Sequence, residues 1–455
     1  METQRTKVKY RVEPADPASL ERGVRQLLAD KISGALVGIW LLVPEYLRLG
    51  IWDLLCGWTG KAGERIEPRL GLQLVNEAAL CVTRIRANSS LSQKGFEVAN
   101  GLPFLASDTA IHELLAARTI ADTEELQVAL GRLRRASGHF QGRLLAVDPH
   151  HLHSSSKRQM RRRRPKPELP AEKTSQSLFC VDTDTWQPVC FVLSSSSRSV
   201  AQEVPRLLTL TQDILVPKPG QALLLADSEH FGKELFGHVA ADTPFDLLAP
   251  QPAYPVYRRQ LQQLPPEAFT HRWAGLATAK TPLGFGKHGE QPYTRIVQRT
   301  GERPGQFQLK AFVCTSDREE VQALCEEYPS RWHAEEFFNA NQGLGWRRAG
   351  TMNLNIRYGK MTAALLAQAG IHQLRQRLGH PMAGWNAEHL GESLFRGLDG
   401  DIRVHQDTIL VTFYDAAPLA DVAHLFTELP ARLESEGVNP RIPWLNNLKL
   451  DFRFR

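Results

Sequence analysis

Two apolar runs in this chain each close on an aspartate, Leu-Leu-Ala-Val-Asp148 and Leu-Leu-Leu-Ala-Asp227. An apolar run without polar alternation suits a strand covered on both faces, as in the parallel sheets of α/β proteins. Its closing acid then emerges at the carboxyl edge of the sheet, where open α/β sheets bind ligands. The two runs therefore constrain the chain to an α/β fold built around a pair of acids. A third carboxylate follows on a helical stretch, Arg331-Trp-His-Ala-Glu335. Three carboxylates meeting at one edge would hold hard, oxygen-seeking cations such as Mg²⁺, and a pair of such cations serves phosphoryl transfer.

The third stretch has its own geometric logic. Arg331, Glu335 and Gln342 stand at offsets of 0, 4 and 11, which at about 100° per residue puts them within roughly 60° of arc on one helical face. Glu336 points elsewhere. Tyr328 precedes Pro329, which disfavours helical geometry for it and places it at the helix entrance. A carboxylate with an arginine one turn earlier can bind a cation while the guanidinium grips a phosphate. An isolated Arg-x-x-x-Glu is an ordinary surface ion pair of about 0.3 to 0.5 kcal/mol, so its meaning comes from the two aspartates. Trp332, Phe337 and Phe338 lie off this face, and core packing is the expectation for them.

At 455 residues and 42% hydrophobic the chain is long enough for about three domains. Its 55 Lys and Arg against 49 Asp and Glu leave a net charge of +6, which is informative only where it concentrates. The cysteines at 56, 81, 180, 190, 314 and 325 form no C-x-x-C pair, so neither a zinc knuckle nor a disulfide framework is indicated and a reducing, cytoplasmic compartment is expected. The apolar stretch from 35 to 42 is interrupted by Pro44, Glu45 and Arg48, short of the roughly 20 residues of a membrane span. The first residues lack signal-peptide character.

Along the chain, residues 1–20 read as a flexible arm and 21–138 as helical, with Leu20, Val24, Leu27, Leu28 and Ile32 at helical spacing. Within that region 94–100, Gly101-Leu102-Pro103 and 107–117 read as helix, turn and capped helix. This is either a DNA-binding helix-turn-helix or an ordinary corner of a bundle. Strands are expected at 143–148, 178–181, 188–193, 222–227 and 245–248, with helices at 201–210 and 231–239. Three paired strands, a crossover helix and a parallel strand open an RNase H-like core, an order that a generic mixed sheet shares. Residues 250–316 read as a β-rich insertion. Ser316-Asp-Arg-Glu319 is a capping-box sequence that restarts helix, with helical pattern over 317–385. The remainder, 386–455, reads as a small α/β segment with strands in 401–414 around Gln406-Asp407, a helix over 419–433 and a strand over 448–454.

The words Val-Asp148-Pro-His-His, Ala-Asp227-Ser-Glu-His-Phe-Gly and Tyr328-Pro-Ser-Arg331-Trp-His-Ala-Glu335-Glu-Phe-Phe-Asn resemble, in order, the three catalytic blocks of the DDE transposases of bacterial insertion sequences. More narrowly they resemble the branch with a Y-x2-R-x3-E-x6-K signature and a β-strand insertion before the glutamate. The resemblance implies an RNase H-like core, an amino-terminal DNA-binding region over 21–138, and Mg²⁺-dependent cleavage at transposon ends followed by strand transfer into target DNA. It implies Asp148, Asp227 and Glu335 as ligands of two Mg²⁺ ions, for which Mn²⁺ could substitute, and Tyr328 and Arg331 as phosphate contacts. DNA is then the partner, with a homodimer in the DNA complex. The family's lysine falls on Gln342, so that contact has lost its charge.

Independent of the resemblance, Lys157-Arg158-Gln-Met-Arg161-Arg162-Arg163-Arg164-Pro-Lys166 holds seven cations in ten residues without an acid. It begins nine residues after Asp148, where an arginine cluster would grip phosphates and release counterions. His150, His151 and His153 suggest loop residues rather than metal ligands, since hard cations favour carboxylates. Glu229 and His230 could support Asp227 or be polar loop residues. Gln342 keeps open a transposase-derived DNA-binding protein without activity. A nucleotide hydrolase is disfavoured because Gly284-Phe-Gly-Lys287 has the wrong spacing for a phosphate loop.

Neutralising Arg161, Arg162, Arg163 and Arg164 together should flatten the slope of log K against log [salt] for DNA by up to about four, as far as each touches a phosphate. Fluorescence-anisotropy titrations over a salt series measure that slope, and an unchanged one would mean a merely solvated run.

Overall fold

The computed structural model describes residues 17–60, 66–82, 91–153, 162–163, 168, 170–195, 199–285, 293–303, 305–346, 353–414, 416 and 419–455. The chain divides into two compact units, Gly131–Asn339 and the pair of segments Met1–Leu130 and Ala340–Arg455.

The Gly131–Asn339 unit is a mixed sheet with helices. Its elements are β1 (Leu144–His153), β2 (Glu172–Asp182), β3 (Gln187–Ser195), α1 (Val200–Leu215), β4 (Ala222–Ala226), α2 (Lys233–Asp242), β5 (Phe245–Pro250), α3 (Pro255–Gln262), β6 (Thr270–Trp273), β7 (Leu276–Leu283), β8 (Tyr293–Thr300) and β9 (Gln308–Cys314). The strand order is β3-β2-β1-β4-β5-β9-β8-β7-β6. β2 runs antiparallel to both β1 and β3, whereas β1, β4 and β5 run parallel. The five residues of β4 are all buried, as an all-apolar run in the middle of a sheet requires. Helix α1 carries the chain from β3 to β4. A reciprocal capping box between Ser199 and Gln202 starts it, and Val204, Leu207, Leu208 and Ile214 lie on its buried side.

Several elements differ from the sequence expectation for identifiable reasons. β1 does not stop at Asp148. Its antiparallel partner β2 runs alongside as far as the pair His153 and Thr174, so main-chain pairing continues after the apolar run has ended. The strands at 270–314 within the expected β-rich insertion extend the same sheet, because β9 pairs with β5 from Cys314 opposite Leu248 to Phe312 opposite Pro250. One face joins Leu223, Leu225, Leu248, Ile296 and Phe312 in a common core. The other closes over Leu261, Ala279, Val297 and Ala311. The helical restart is capped by Glu319, whose Oε2 accepts from Gln322 N at 2.7 Å, and not by Ser316, whose hydroxyl lies 3.6 Å from Cys314 Sγ.

In the other unit, Ile32–Gly34 joins Gly400–His405, Thr408–Phe413, Leu448–Phe454 and Arg441–Ile442 in one five-stranded sheet. The carboxyl-terminal strands therefore share their sheet with a segment near the amino terminus. Gln406 takes a left-handed φ of 57° at the expected turn. The helix expected over 419–433 is broken into Ala423–Phe426 and Leu429–Ser435, with Glu428 left-handed at φ 54° and Pro430 in the first turn. At the helix-turn-helix candidate the first helix, Lys94–Ala99, is six residues long and buries Gly95, Phe96, Val98 and Ala99. The second, Asp108–Ala116, is capped by Ser107 and holds two acids and no lysine or arginine. That charge suits a bundle corner better than a face laid against phosphates. Among the described residues no helix is long and apolar enough to cross a membrane.

Leu225→Ala should remove about 2 to 5 kcal/mol of stability, because the side chain is fully buried in the central strand. The exposed Val256→Ala should stay within about 0.5 kcal/mol. Urea unfolding followed by tryptophan fluorescence compares the two, and equal effects would contradict this core.

Candidate metal and phosphate site

The register of two parallel strands builds the site. The last parallel pair of β1 and β4 sets Val147 opposite Ala226, so the next residue on each strand is an aspartate, Asp148 and Asp227. β4 stops there because Asp227 caps a 3₁₀ turn, Ser228–His230, accepting Glu229 N on Oδ1 at 2.9 Å. The same oxygen accepts from His230 Nδ1 at 2.7 Å. His230 is fully buried, and its Nε2 has no hydrogen-bond partner among the described residues. Of the two residues behind Asp227, His230 is thus the one whose side chain holds the acid, while Glu229 contributes its backbone N–H.

The third acid arrives through an irregular segment. A π turn, Gln322–Glu327, leads into a 3₁₀ turn, Tyr328–Trp332, and then into α4, His333–Asn341. Glu327 is buried in the π turn and accepts from Arg318 at 2.7 Å and from Gln322 at 3.2 Å, which anchors the turn that follows. Arg318 also reaches Asp246 on β5 at 3.4 Å. Tyr328 packs on Phe312 and donates to the carbonyl of Ala226, the residue before Asp227, at 3.3 Å. His333 Nδ1 lies 2.8 Å from the carbonyl of Thr183 in the β2–β3 turn, and its ring sits 4.9 Å from Trp186. Phe337 and Phe338 are buried, Phe338 edge-on to Phe179. His150 stacks on Phe338 at 4.6 Å.

These anchors bring Arg331 between two acids. Its Nη1 donates to Asp148 Oδ1 at 3.0 Å and its Nη2 to Glu335 Oε1 at 3.1 Å. Asp148, Arg331 and Glu335 thus form one bridged group, with Tyr328 and Asp227 beside it. Glu336 faces away, 4.0 Å from His333 Nε2.

Other expected members are placed differently. α4 ends at Asn341, and Gln342 opens a separate 3₁₀ turn, Gln342–Leu344, before Gly345 at φ 97°. Arg331 lies in the turn before α4, so Arg331, Glu335 and Gln342 do not share one continuous helix. Glycines at 343 and 345 explain the early stop. Trp332 is 57% exposed rather than in the core. Of the basic run, Arg162 and Arg163 pair as a short strand with Lys173 and Glu172 at the start of β2, and Arg162 is exposed. Lys157, Arg158, Arg161, Arg164 and Lys166 lie outside the described residues.

Electrostatics drive the two aspartates apart. Burial, with the neighbouring charges of Asp227 and Glu335, pushes Asp148 up to about 6 even though Arg331 and His230 pull it down. For Asp227 burial acts in the same sense. The hydrogen bond and charge of His230, the Glu229 N–H and Arg331 outweigh it and hold this acid below its ordinary value. Arg331 is moved upward: burial opposes its charge, but Tyr328, Asp148 and Glu335 more than compensate. Two acids shifted in opposite directions within one site are the usual physical sign of assigned chemical roles.

The donor chemistry, three carboxylates, is that of a hard divalent cation. The convergence is not. Among the described residues no three His, Cys, Asp or Glu side chains draw together closely enough to hold a metal ion. One oxygen of Asp148 and one of Glu335 are engaged by Arg331, and one of Asp227 by His230.

No family model matches the chain, and a comparison with curated proteins found no match. Among solved structures it is similar to a piggyBac transposase synaptic complex with hairpin DNA, at 10% identity and a TM-score of 0.42 over 78% of this chain and 79% of that one. At that degree of overlap the site's own geometry carries the functional reading.

The upward displacement of Asp148 has a signed consequence. Between its unfolded value of 3.8 and about 6 the unfolded chain ionises while the folded one keeps its proton. Stability from this group is therefore complete below pH 4 and is lost as pH rises through about 6. At about 1.4 kcal/mol per pH unit the loss is at most about 3 kcal/mol. Asp148→Asn should accordingly gain on the wild type between pH 4 and 6 and run parallel to it above, in urea unfolding without divalent cations. A gap of the opposite slope would mean that Arg331 governs Asp148 more strongly than burial does.

Proposed function

We propose that the protein is a DDE transposase, a DNA phosphoryl-transfer enzyme that cleaves transposon ends and joins them to target DNA. The observation that carries this reading is the placement of Asp148 and Asp227 on adjacent residues of two parallel strands, with Glu335 tied to Asp148 through Arg331. Three antiparallel strands, a crossover helix and two further parallel strands in the order β3-β2-β1-β4-β5 support an RNase H-like core. The strands β6 to β9 stand in the chain between the second acid and the third, where the insertion of this branch is expected.

In this reading Asp148, Asp227 and Glu335 would hold Mg²⁺, which when bound supplies charge stabilisation at an in-line phosphorus and activates the attacking oxygen. The chain's own residues bind and orient. Arg331 offers a planar fork to a phosphate. Tyr328 fixes the backbone before Asp227, and His230 sets the rotamer of Asp227. Arg162, Arg163 and the cations around them would contact the DNA backbone without reading sequence. DNA is the partner, and a homodimer would form on it. A second reading, a transposase-derived DNA-binding protein without activity, is favoured by one residue: Gln342 stands where the resembled branch has lysine.

Asp148→Ala, Asp227→Ala and Glu335→Ala should each abolish Mg²⁺-dependent nicking of supercoiled plasmid DNA, with DNA binding nearly retained. Glu336→Ala should nick at close to the wild-type rate. Gel assays of nicking and anisotropy of binding separate the two effects. Wild-type binding without any nicking would select the second reading, and nicking that survives loss of Asp148 and Asp227 would refute both.

A further inference from the structure

Arg331 occupies a place in the acid edge that its two hydrogen bonds define. One arm of the guanidinium meets Asp148 at 3.0 Å and the other meets Glu335 at 3.1 Å. The arginine and Asp148 side chains are each only 17% exposed, so this bridge is more than a screened surface pair. A guanidinium has five N–H donors in a rigid plane and no acceptor. It can serve two carboxylates at once, as a divalent cation does, but without drawing their oxygens onto a single point. The structure shows the result: the donor set is right for a hard cation, yet among the described residues no three acids converge on one point.

We propose that Arg331 is an internal counter-ion that closes the acid site, and that it leaves Asp148 and Glu335 only when a phosphodiester takes its fork. The inference rests on the phosphoryl-transfer reading above and adds a regulation to it: binding of DNA and binding of divalent cation become coupled through one side chain. The same two arms that grip the acids suit two oxygens of a phosphate, and they cannot do both. A phosphate at Arg331 thus frees one oxygen of Asp148 and one of Glu335, and a cation between those acids frees the arginine for phosphate. By linkage each ligand must tighten the other by the same factor. The acids are consequently guarded against stray cations until a DNA strand is in place.

The surrounding packing is compatible with a side chain that swings while its backbone stays. Glu327 on Arg318 and Tyr328 on the Ala226 carbonyl hold the turn before Arg331. His333 on the Thr183 carbonyl holds the turn after it. Of these side chains only Tyr328 also touches the guanidinium of Arg331, and its hydroxyl keeps the Ala226 carbonyl as a partner when the arginine swings away.

The test measures Mn²⁺ binding to the full chain by electron paramagnetic resonance of the free ion, with and without a 20-base-pair duplex of mixed sequence bearing 5′-phosphates. Wild type, Arg331→Gln, Arg331→Lys and Asp227→Asn are compared, with circular dichroism melts to verify folding. Without DNA, Arg331→Gln should bind Mn²⁺ about tenfold tighter than wild type, within the roughly 5- to 150-fold range of such couplings. The duplex should tighten Mn²⁺ on wild type by a similar factor and on Arg331→Gln hardly at all. Arg331→Lys keeps the charge but loses the two-armed bridge, so it should follow the glutamine variant. If lysine behaves like arginine, the effect is only the field of a nearby cation and the bridge is no latch. If Arg331→Gln binds no tighter than wild type while Asp227→Asn loses binding, the latch is wrong and the acid site stands. If no variant binds Mn²⁺ at these acids even with DNA, the phosphoryl-transfer reading falls as well.

Discussion

Two carboxylates side by side at the end of neighbouring parallel strands repel each other, and partial burial strengthens that repulsion by removing the water that would screen it. The register that sets Val147 opposite Ala226 creates this conflict between Asp148 and Asp227, and much of the local structure answers it. Arg331 neutralises one acid and bridges it to Glu335. His230 and the Glu229 N–H stabilise the other. The outcome is asymmetric, with Asp148 moved toward neutrality and Asp227 held ionised. A purely structural ion-pair network has no need of such a cluster at a sheet edge, because apolar residues of similar volume would stabilise the fold as well or better.

Holding the third acid in reach requires an unusual piece of backbone. A regular helix from Gln322 onward would meet Pro329, whose ring removes a donor and crowds the preceding turn. The chain instead widens into a π turn, tightens into a 3₁₀ turn and resumes as α4. Each change of winding rotates the following side chains, so the direction of Arg331 and Glu335 depends on where it occurs. Buried Glu327 on Arg318 fixes the first junction and His333 on the Thr183 carbonyl fixes the second. π turns recur at functional sites for this reason: they re-aim a helix without ending it.

This explains which parts of the molecule were legible in the sequence. The apolar runs ending in Asp148 and Asp227 showed the adjacent strands directly, since a buried parallel strand leaves a composition signature. Arg331 and Glu335 were also legible as partners, because four-residue spacing brings them together even across a change of winding. The continuation of that face to Gln342 was not, as it assumed constant helical rotation through Gly343 and Gly345. The length of β1 beyond Asp148 was hidden because β2, not the hydrophobicity of β1, sustains the pairing. His230 was visible only as a polar residue behind an acid. Its role comes from a 3₁₀ turn that folds it back onto Asp227, and short turns carry little periodic signal. Trp332 was misread in the other direction: an aromatic residue in the 3₁₀ turn that leads into a buried helix is expected inside, yet it is more than half exposed.

The acid edge also raises a problem for any phosphate that approaches it. Asp148, Asp227 and Glu335 with a single arginine leave local negative charge, which repels a polyanion before contact. Attraction must therefore come from elsewhere in the chain, and its charge is distributed accordingly. Residues 251–316 hold nine Lys and Arg against three Asp and Glu, a net of 9 − 3 = +6 that equals the net charge of all 455 residues. The strands in that stretch extend the same sheet that carries the acids. Arg258 and Arg259 of α3, with Arg303 and Lys310, are exposed in that stretch, and Arg162 is exposed on the short strand that pairs with the start of β2. A polyanion guided by these cations would reach the acids already partly desolvated, and Arg331 would be the first positive group it meets at the edge itself. In the proposed reading, charge that attracts and charge that reacts would be carried by different residues, so salt should weaken the approach of a polyanion far more than it weakens the bonds among Asp148, Arg331 and Glu335.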